Sequence, residues 1–330
     1  MKIAVVGAGS WGTTLAGLLA DKGLETSLWV REDELAGIIR ETSENAWFFF
    51  FFKLQTDLKV TSHLSEALDG AHSVLMAVPC QFLRHVLRET RRSLPQFPTI
   101  VCCSKGIEID SLQPMSNVVM DELSDLHPRY AVLSGPSFAR EVSQRLPTAV
   151  TVGCEDKELG VTLQETLSTD YFRVYLSADF RGVELGGALK NVMAIATGIS
   201  DGLEFGADAR AALITRGLAE MSRLGVAMGA KSQTFMGLSG LGDLVLTCTG
   251  DLSRNRQVGL RIGRGEGLHA IERSMRAVAE GVKTTQAVYE LGRTKCVDLP
   301  ITEQVYGMLY AGIDPRHAVR ELMTRSLKEE

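Results

Sequence analysis

Lys190 is the only charged residue in the sixteen-residue apolar stretch Leu185–Ser200, which reads LGGALKNVMAIATGIS. Burial of an ammonium group costs free energy unless the group is paired, or unless its pKa falls so that it can exchange a proton. Lys190 is therefore a candidate acid/base, and Asn191 beside it offers a neutral hydrogen-bonding group. The alternative is that Lys190 extends from the edge of a surface helix into water.

Asp243 is a second charged residue in apolar surroundings, within the glycine-rich segment Gly240–Leu244. A buried aspartate needs a partner, and a lysine would serve. Capping of a helix N-terminus by Asp243 is the competing interpretation.

A glycine-rich turn follows the first apolar run and opens the first helical pattern. It contains Gly7, Gly9 and Gly12 in the spacing G-x-G-x-x-G. In this context Gly7 permits the tight turn, Gly9 lets the backbone approach a pyrophosphate, and Gly12 allows close packing of helix and strand. The helix N-terminus then offers unpaired N–H groups to the phosphates. The turn predicts a dinucleotide site, and a turn without a ligand is the alternative.

The end of the second predicted strand indicates which dinucleotide binds. An NAD enzyme usually carries an acidic residue there for the ribose 2′-hydroxyl. Here the strand ends at Arg31, and a guanidinium suits a 2′-phosphate. We therefore expect NADP(H) to be favoured. NAD(H) stays possible because Glu32 is adjacent and could turn inward.

Three further segments combine polar groups with turns. Lys105 follows the strand candidate Ile100–Cys103, and Ser134–Ala139 follows another strand, at the edge where open α/β sheets bind ligands. Ser253–Arg256, which reads SRNR, begins a helical pattern and predicts an anion site that suits a phosphorylated or carboxylated substrate. The alternatives are a solvent-exposed lysine, a plain turn and a solvated helix face.

The order of elements predicts an α/β fold in which a Rossmann-type dinucleotide-binding domain, residues 1–178, precedes an all-helical domain, residues 179–330. Strand candidates are Ile3–Val6, Ser27–Val30, Val74–Val78, Ile100–Cys103, Ala131–Ser134, Ala149–Val152 and Phe172–Tyr175. Helix candidates in the first domain are Trp11–Lys22, Gln81–Arg91 and Leu112–Leu123. Those in the second are Asp179–Ser200, Ala209–Met228, Ser253–Arg264, Gly281–Leu291, Ile301–Tyr310 and Pro315–Ser326.

Composition excludes several classes of protein. A net charge of −5 argues against a nucleic-acid partner. The six cysteines include no C-x-x-C pair, which favours core thiols in a reduced cytoplasmic protein, and the histidine spacing implies no metal. No apolar run is long enough for membrane insertion, and the N-terminus lacks the pattern of a signal peptide. The run Phe48–Phe52 stays open between a buried loop and an aromatic flap over a ligand.

Nine motifs together resemble the NAD(P)-dependent glycerol-3-phosphate dehydrogenases, in family order over nearly the whole chain. They are GAGSWGTTLA from Gly7, AVPCQ from Ala77, SKGIE from Ser104, SGPSFAREV from Ser134, ELGGALKNVMAIATGISDG from Glu184, AALITRGLAEM from Ala211, GLSGLGDLVLTC from Gly237, SRNR from Ser253 and AEGVKT from Ala279. The resemblance implies a cytoplasmic homodimer that reduces dihydroxyacetone phosphate reversibly to sn-glycerol 3-phosphate for phospholipid synthesis.

The resemblance also implies roles for single residues. Lys190 would exchange the proton with the reacting oxygen, Lys105 would add positive field, and Asp243 would hold Lys190. Substrate contacts would come from Lys105, Gly135, Ser137, Lys190, Asn191, Asp243, Ser253, Arg254 and Asn255. Nucleotide contacts would come from Gly7, Gly9, Ser10, Trp11, Gly12, Arg31, Lys105, Ala139, Arg254, Val278 and Glu280.

The chain departs from the family pattern at two places. Phe48–Phe52 replaces the usual aromatic-Leu-Pro-Gly turn, and Asp208 stands where the family has asparagine. A β-hydroxyacid dehydrogenase or a ketopantoate reductase would share the architecture and the Lys-Asn pair, but we would not expect the SRN segment there. A dinucleotide sensor without enzymatic activity would keep the glycine turn and have no need of Lys190.

Overall fold

The computed structural model describes residues 1–54, 58–275 and 279–326. The chain forms two compact units, one of Met1–Lys105 with Gln113–Glu184 and one of Gly106–Leu112 with Leu185–Glu330. The domain limit at residue 178 stays a prediction. Within the described residues, no helix is both long enough and apolar enough to cross a bilayer.

The first unit is built on an eight-stranded sheet with the order β10-β9-β8-β7-β6-β1-β2-β5. The six strands from β8 to the edge strand β5 have the Rossmann arrangement. In it the first strand, β1, lies inside the sheet, and the third strand of the sheet, β5, lies at the edge. The strands of this sheet are β1 Lys2–Val6, β2 Glu25–Trp29, β5 Lys59–Thr61, β6 Ser73–Met76, β7 Thr99–Cys102, β8 Arg129–Ser134, β9 Thr148–Gly153 and β10 Phe172–Ser177. The strands β3 Glu44–Asn45 and β4 Phe49–Lys53 form a separate two-stranded sheet.

Apolar side chains cover both faces of this sheet, as expected when helices flank a parallel sheet. Every residue of Ile3–Val6 is buried, and so is every residue of β6 and β7. The seven predicted strands are thereby confirmed, with end points that differ by one or two residues. The pairing of β8 with β9 is antiparallel, which the apolar pattern alone did not indicate.

Seven α-helices lie entirely within the described part of the first unit. They are α1 Ser10–Asp21, α2 Asp33–Thr42, α3 Leu64–Leu68, α4 Leu83–Thr90, α5 Met115–Leu123, α6 Ala139–Ser143 and α7 Lys157–Leu167. The prediction of a helix from Leu112 was wrong at its start, because Leu112 has a left-handed backbone and Pro114 is the residue that precedes α5.

The phenylalanine run lies in a two-stranded hairpin, in which β3 pairs antiparallel with β4. Trp47, Phe48 and Phe52 are partly buried and pack against the core that includes Leu15 and Leu54. The hairpin therefore rests on helix α1 of its own unit, which favours the interpretation as a packed loop. A role as a flap over a ligand stays a prediction.

The second unit is helical throughout its described part, apart from turns and connecting segments. Helix α8 Phe180–Gly202 starts in the first unit and continues into the second. The others are α9 Gly206–Ala227, α10 Asp243–Thr249, α11 Arg254–Gly263, α12 Leu268–Ser274, α13 Glu280–Thr294, α14 Pro300–Tyr310 and α15 Pro315–Met323. The six long helices predicted after residue 178 are confirmed, whereas α10 and α12 were missed.

Close contact between α8 and α11 depends on glycine. A Cβ at Gly198 would collide with the carbonyl oxygen of Arg256, and one at Gly259 would collide with that of Ile195. Side chains cannot separate the two backbones at these points, so the start of α11 is held against the middle of α8. This contact positions the SRNR segment.

Glu220 connects α9 to the N-terminus of α14. It is 1% exposed, and its two carboxylate oxygens accept hydrogen bonds from the backbone N–H groups of Ile301 and Thr302, each at 2.9 Å. The Thr302 hydroxyl donates a third bond at 2.6 Å. Burial raises the pKa of Glu220, while the bonds from Thr302 and Ile301 oppose that shift. A distant carboxylate thus satisfies N–H groups that a helix start leaves unpaired.

We expect Glu220→Gln to lower the free energy of unfolding by about 1–3 kcal/mol, because an amide NH₂ group would face a buried N–H donor. Urea unfolding of the variant and the wild type measures this difference. Glu303→Gln on the exposed side of α14 makes the same chemical change, and we expect it to alter stability by less than about 0.5 kcal/mol. Equal stabilities for the two variants would contradict the role given to Glu220.

Candidate active site

The glycine turn of the first unit has the geometry that its spacing predicts. Gly7 has a φ of +112°, and a Cβ there would lie 2.7 Å from the carbonyl oxygen of Ala77. A Cβ at Gly12 would collide with the carbonyl oxygen of Gly7. Helix α1 starts immediately afterwards, with Gly9 as its N-cap. The turn, the strand and the helix can pack this closely only with glycine at both positions.

Two observations on the same turn fit a bound dinucleotide. A Cβ built at Gly9 meets no atom within 4 Å, so the backbone there borders open space that a phosphate can approach. The indole Nε1–H of Trp11 is buried, and no described residue accepts a hydrogen bond from it. A buried donor without a partner is rare in folded proteins. We take it as a group that a ligand would satisfy.

Ser10 and Arg31, which we predicted to contact the nucleotide, both have partners within the first unit. The Ser10 hydroxyl donates to the carbonyl oxygen of Phe48 at 2.7 Å. The Arg31 guanidinium donates through Nε and Nη2 to Glu32 Oε1, at 2.9 and 2.6 Å. The Arg31 side chain is 71% exposed, so solvent screens this pair. Arg31 and Glu32 thus lie side by side at the end of β2.

Lys105 and Gly135 come together at the carboxyl ends of neighbouring strands. Lys105 Nζ donates to the carbonyl oxygen of Gly135 at 3.3 Å. Gly135 has a φ of +142°, and a Cβ there would lie 2.9 Å from Val150 Cα, so this corner requires glycine. Ser137 Oγ donates to the same carbonyl oxygen at 3.1 Å. Ala139 begins α6, and its carbonyl oxygen accepts from Thr14 Oγ1 of α1 at 3.3 Å.

Lys190 and Asp243 form a buried ion pair in the second unit. Lys190 Nζ lies 2.6 Å from Asp243 Oδ1, and the two side chains are 8% and 2% exposed. Lys190 is the only buried lysine among the described residues. The interpretation as a surface lysine that extends into water is therefore wrong. The N-cap position of α10 belongs to Gly242, and Asp243 is the first residue of the helix, so the interpretation of Asp243 as the N-cap is wrong too.

Thr247 is the third member of the buried group that Lys190 and Asp243 form, and it was not predicted from the sequence. Lys190 Nζ is also 2.6 Å from Thr247 Oγ1, which in turn donates to the Asp243 carbonyl oxygen at 2.6 Å. Thr247 stands one helical turn after Asp243, so recognition of α10 would have placed both on one face. The next residue, Cys248, is buried, which raises its pKa to about 12 and keeps the thiol neutral at physiological pH.

A second chain of hydrogen bonds starts beside Lys190 on α8. Asn255 Nδ2 donates to Asn191 Oδ1 at 2.9 Å, and Asn255 Oδ1 accepts from the backbone N–H of Gly281 at 2.9 Å. Both asparagines are buried. The amide of Asn255 therefore joins α8 and α11 to the first turn of α13. Glu280, which we predicted to contact the nucleotide, begins that helix.

The two arginines of SRNR have different environments. Arg256 is 9% exposed and donates to Asp201 Oδ2 through Nε at 2.9 Å and to Asp251 Oδ1 through Nη1 at 2.8 Å. Arg254 is exposed, and no described carboxylate forms an ion pair with it. Although its side chain reaches solvent, the surrounding protein reduces the solvation of the guanidinium and lowers the pKa of Arg254, and the negative charge of Glu280 opposes that shift. Arg254 is thus the guanidinium left to meet an anion.

Ser253 has the place that an anion site would need. It is the N-cap of α11, and its Oγ accepts from the backbone N–H of Arg256 at 3.2 Å, so its own O–H still has a proton to donate. Val278, the remaining predicted nucleotide contact, lies outside the described residues. Asp208, the departure from the family pattern, is exposed in the first turn of α9, where a negative charge suits the helix dipole.

Comparison with known proteins assigns this architecture. Residues 2–160 match the NAD-dependent glycerol-3-phosphate dehydrogenase N-terminus, and residues 179–320 match the C-terminus of the same family. Proteins named glycerol-3-phosphate dehydrogenase (NAD(P)+) from Nitratidesulfovibrio vulgaris Hildenborough and Solidesulfovibrio magneticus are 59% and 58% identical, over 100% of both chains. The crystal structure of glycerol-3-phosphate dehydrogenase from Coxiella burnetii has a TM-score of 0.94 at 40% identity, covering 98% of this chain and 99% of that one.

A Rossmann-type sheet with a glycine turn fit for a dinucleotide, followed by a helical unit with a buried lysine, defines an NAD(P)-dependent oxidoreductase. With the matches over nearly its whole length, the chain belongs to the NAD-dependent glycerol-3-phosphate dehydrogenase family.

The different environments of Arg254 and Arg256 can be tested with one substitution made at each. We expect Arg256→Lys to lower the free energy of unfolding by more than about 1 kcal/mol, because it removes buried charge-assisted hydrogen bonds. Arg254→Lys should stay within about 0.5 kcal/mol of the wild type, as for other exposed positions. Urea denaturation followed by circular dichroism compares them. A larger loss for Arg254→Lys would show that the two environments have been assigned the wrong way round.

Proposed function

We propose that this chain catalyses the reversible reduction of dihydroxyacetone phosphate to sn-glycerol 3-phosphate with NAD(P)H. The bound nicotinamide nucleotide supplies the hydride for the ketone carbon. The buried pair of Lys190 and Asp243 is the observation that carries the proposal, because reduction of a ketone also needs a proton at the carbonyl oxygen.

Lys190 is the proton donor in this proposal. As negative charge develops on the carbonyl oxygen, a protonated Nζ stabilises it and then gives up a proton. Asp243 and Thr247 hold Nζ at 2.6 Å each, so the ammonium needs little reorganisation during the reaction. The family resemblance further assigns Lys105, of the first unit, a positive charge that favours the developing negative charge. In the reverse direction the neutral Lys190 amine takes the proton from the alcohol.

The start of α11 binds the phosphate of the substrate. Ser253 and Arg254 offer a hydroxyl and a guanidinium, and the helix N-terminus adds backbone N–H groups. Asn255 is held by Asn191 and Gly281, so the helix start keeps its position relative to α8. Gly135 and Ser137 complete the set of substrate contacts. Binding energy from the distant phosphate then orients the carbonyl group for reaction.

Lys190→Arg is the sharpest test, because it keeps the positive charge beside Asp243 but removes a proton that can be transferred at neutral pH. We expect kcat for NADPH oxidation with dihydroxyacetone phosphate to fall by about 10²–10⁴-fold. The dissociation constant for NADPH, measured by nucleotide fluorescence, should stay within about twofold of the wild type, since Lys190 is not among the residues assigned to the nucleotide.

Lys283→Arg is the matched control, because Lys283 is exposed on α13 and the substitution is identical. We expect it to keep the activity of the wild type. A wild-type protein that oxidises neither NADPH nor NADH with dihydroxyacetone phosphate would refute the proposed reaction. Full activity in Lys190→Arg would refute the role of Lys190 alone.

We further propose that the chain prefers NADP(H) through Arg31, with Glu32 moderating the preference. A guanidinium can bind a 2′-phosphate through two N–H groups. Arg31 gives two such groups to Glu32, and the carboxylate would also repel a 2′-phosphate. Glu32 could instead accept a hydrogen bond from the 2′-hydroxyl of NAD(H). The adjacent pair therefore supports use of both nucleotides, with NADP(H) favoured.

Glu32→Gln should raise the ratio of kcat/KM for NADPH to that for NADH by about two- to fivefold, the range expected for the loss of an exposed ion pair. Steady-state kinetics with each nucleotide measures the ratio. Glu32 is the N-cap of α2, and Glu34 is an exposed carboxylate in the first turn of that helix. Glu34→Gln should leave the ratio unchanged. A fall of the ratio in Glu32→Gln would argue against this role.

The resemblance also carries three predictions about the setting of this reaction. They are that the protein is a homodimer, that it acts in the cytoplasm and that its product enters glycerophospholipid synthesis. They stay predictions from the family.

A further inference from the structure

The side chain of Asn45 is fully enclosed beside the glycine turn of the first unit. Asn45 is 0% exposed, and its Nδ2 donates to the carbonyl oxygen of Ala8 and to Thr13 Oγ1, both at 2.8 Å. Its Oδ1 accepts from the backbone N–H of Phe48 at 3.1 Å. One amide thus makes three hydrogen bonds, of which two go to the segment that faces the nucleotide.

The bond to Ala8 has a consequence for the neighbouring N–H group. In a trans peptide the C=O of one residue and the N–H of the next lie in one plane and point in opposite directions. No peptide bond in the described chain is cis. Asn45 therefore directs the Gly9 N–H away from itself by holding the Ala8 carbonyl. Gly9 is the position at which a Cβ meets no atom within 4 Å.

A fourth hydrogen bond closes the arrangement. The Ser10 hydroxyl donates to the Phe48 carbonyl oxygen at 2.7 Å, while the Phe48 N–H is bound by Asn45. Both polar groups of the Phe48 backbone are thus tied to the glycine turn or to Asn45. The hairpin of β3 and β4 and the glycine turn are joined in one hydrogen-bonded structure.

We propose that Asn45 is a positioning residue for nucleotide binding. By holding Ala8 and Thr13, it keeps the Gly9 N–H aimed at the site of the pyrophosphate before the nucleotide arrives. Binding then does not have to order the turn, which strengthens affinity without any contact between Asn45 and the ligand. The inference rests on the proposed use of NAD(P)H.

Asn45→Ala is the direct test, measured on the full chain. If the turn keeps its binding conformation only about a tenth of the time without Asn45, the dissociation constant for NADPH rises about tenfold. We expect kcat and the KM for dihydroxyacetone phosphate to change by less than about twofold, because the hydrogen bonds of Asn45 go to none of the residues assigned to the substrate. Hydrogen exchange of the segment from Gly7 to Gly12 should become faster in the nucleotide-free variant.

One variant pair and one control variant guard against a general loss of structure. Thr13→Val removes one acceptor of Asn45 and should raise the dissociation constant about threefold, whereas Thr13→Ser keeps the hydroxyl and should match the wild type. Thr42→Ala is the control within the hairpin region. Thr42 Oγ1 accepts from the Glu44 N–H at 3.1 Å and makes no described bond to the glycine turn, so nucleotide affinity should be unchanged.

The outcomes separate the inference from the proposed function. A wild-type protein that binds neither NADPH nor NADH would refute the proposed function. If the wild type binds and folded Asn45→Ala binds equally well, Asn45 serves only the hairpin and the inference is wrong. If Asn45→Ala does not fold, the Thr13 pair decides, and equal affinities for Thr13→Val and Thr13→Ser would overturn it.

Discussion

The Lys190–Asp243 ion pair is the interaction on which the second unit is organised. Moving two charges from water into a protein interior costs several kcal/mol per ion, and apolar replacement of a buried pair is often neutral or stabilising. The short contacts that Lys190 makes with Asp243 and Thr247 offset part of this cost but give no stability that leucines could not provide. The presence of a cation on the buried, apolar helix α8 is therefore better explained by a role in the reaction than by a contribution to the stability of the fold. The π-helical turn Leu238–Gly242, which leads into α10, brings the carboxylate to it.

Helix α8 determines where the other polar groups of that unit lie. It carries Lys190, which binds Asp243 and Thr247 of α10. It also carries Asn191 and Asp201, which bind Asn255 and Arg256 of α11. Because Gly198 and Gly259 let α8 and α11 touch through their backbones, small shifts of α11 are resisted by steric contact as well as by hydrogen bonds. The phosphate-binding residues proposed at the start of α11 are thereby held relative to the lysine without relying on flexible loops. This suits a reaction in which the position of a carbonyl group decides the rate.

The parts of the structure that local sequence dictates were predictable. The glycine turn, the apolar strands and the long helices depend on residues close together in the chain, so their periodicity and spacing indicated them. Apart from the pairing of Lys190 with Asp243, long-range contacts were not indicated. Nothing near Asn45 shows that its amide meets Ala8, and nothing within SRNR shows that Arg256 is bound by Asp201 while Arg254 is exposed. Thr247 was missed because α10 is a single short helix of seven residues whose pattern is too brief for periodicity. The sequence thus indicated the residue types of the candidate site and the pairing of Lys190 with Asp243, and the other hydrogen-bond partners emerged only from the fold.

Three other buried ionisable side chains of the second unit are unsuited to the role of proton donor. Arg256 is buried and charged, but a guanidinium does not give up a proton in a protein. Glu220 is held by two backbone N–H groups and a hydroxyl, so its carboxylate oxygens are occupied as acceptors at the start of α14. Cys248 stays protonated because burial raises its pKa to about 12. Lys190 differs from all three, because an ammonium can pass a proton to an oxygen and remain as a neutral amine that Asp243 and Thr247 still hold in place. The neutral Lys190 amine can then take up a proton from solvent, or it can accept the proton of the alcohol in the reverse reaction. A reversible reduction requires both.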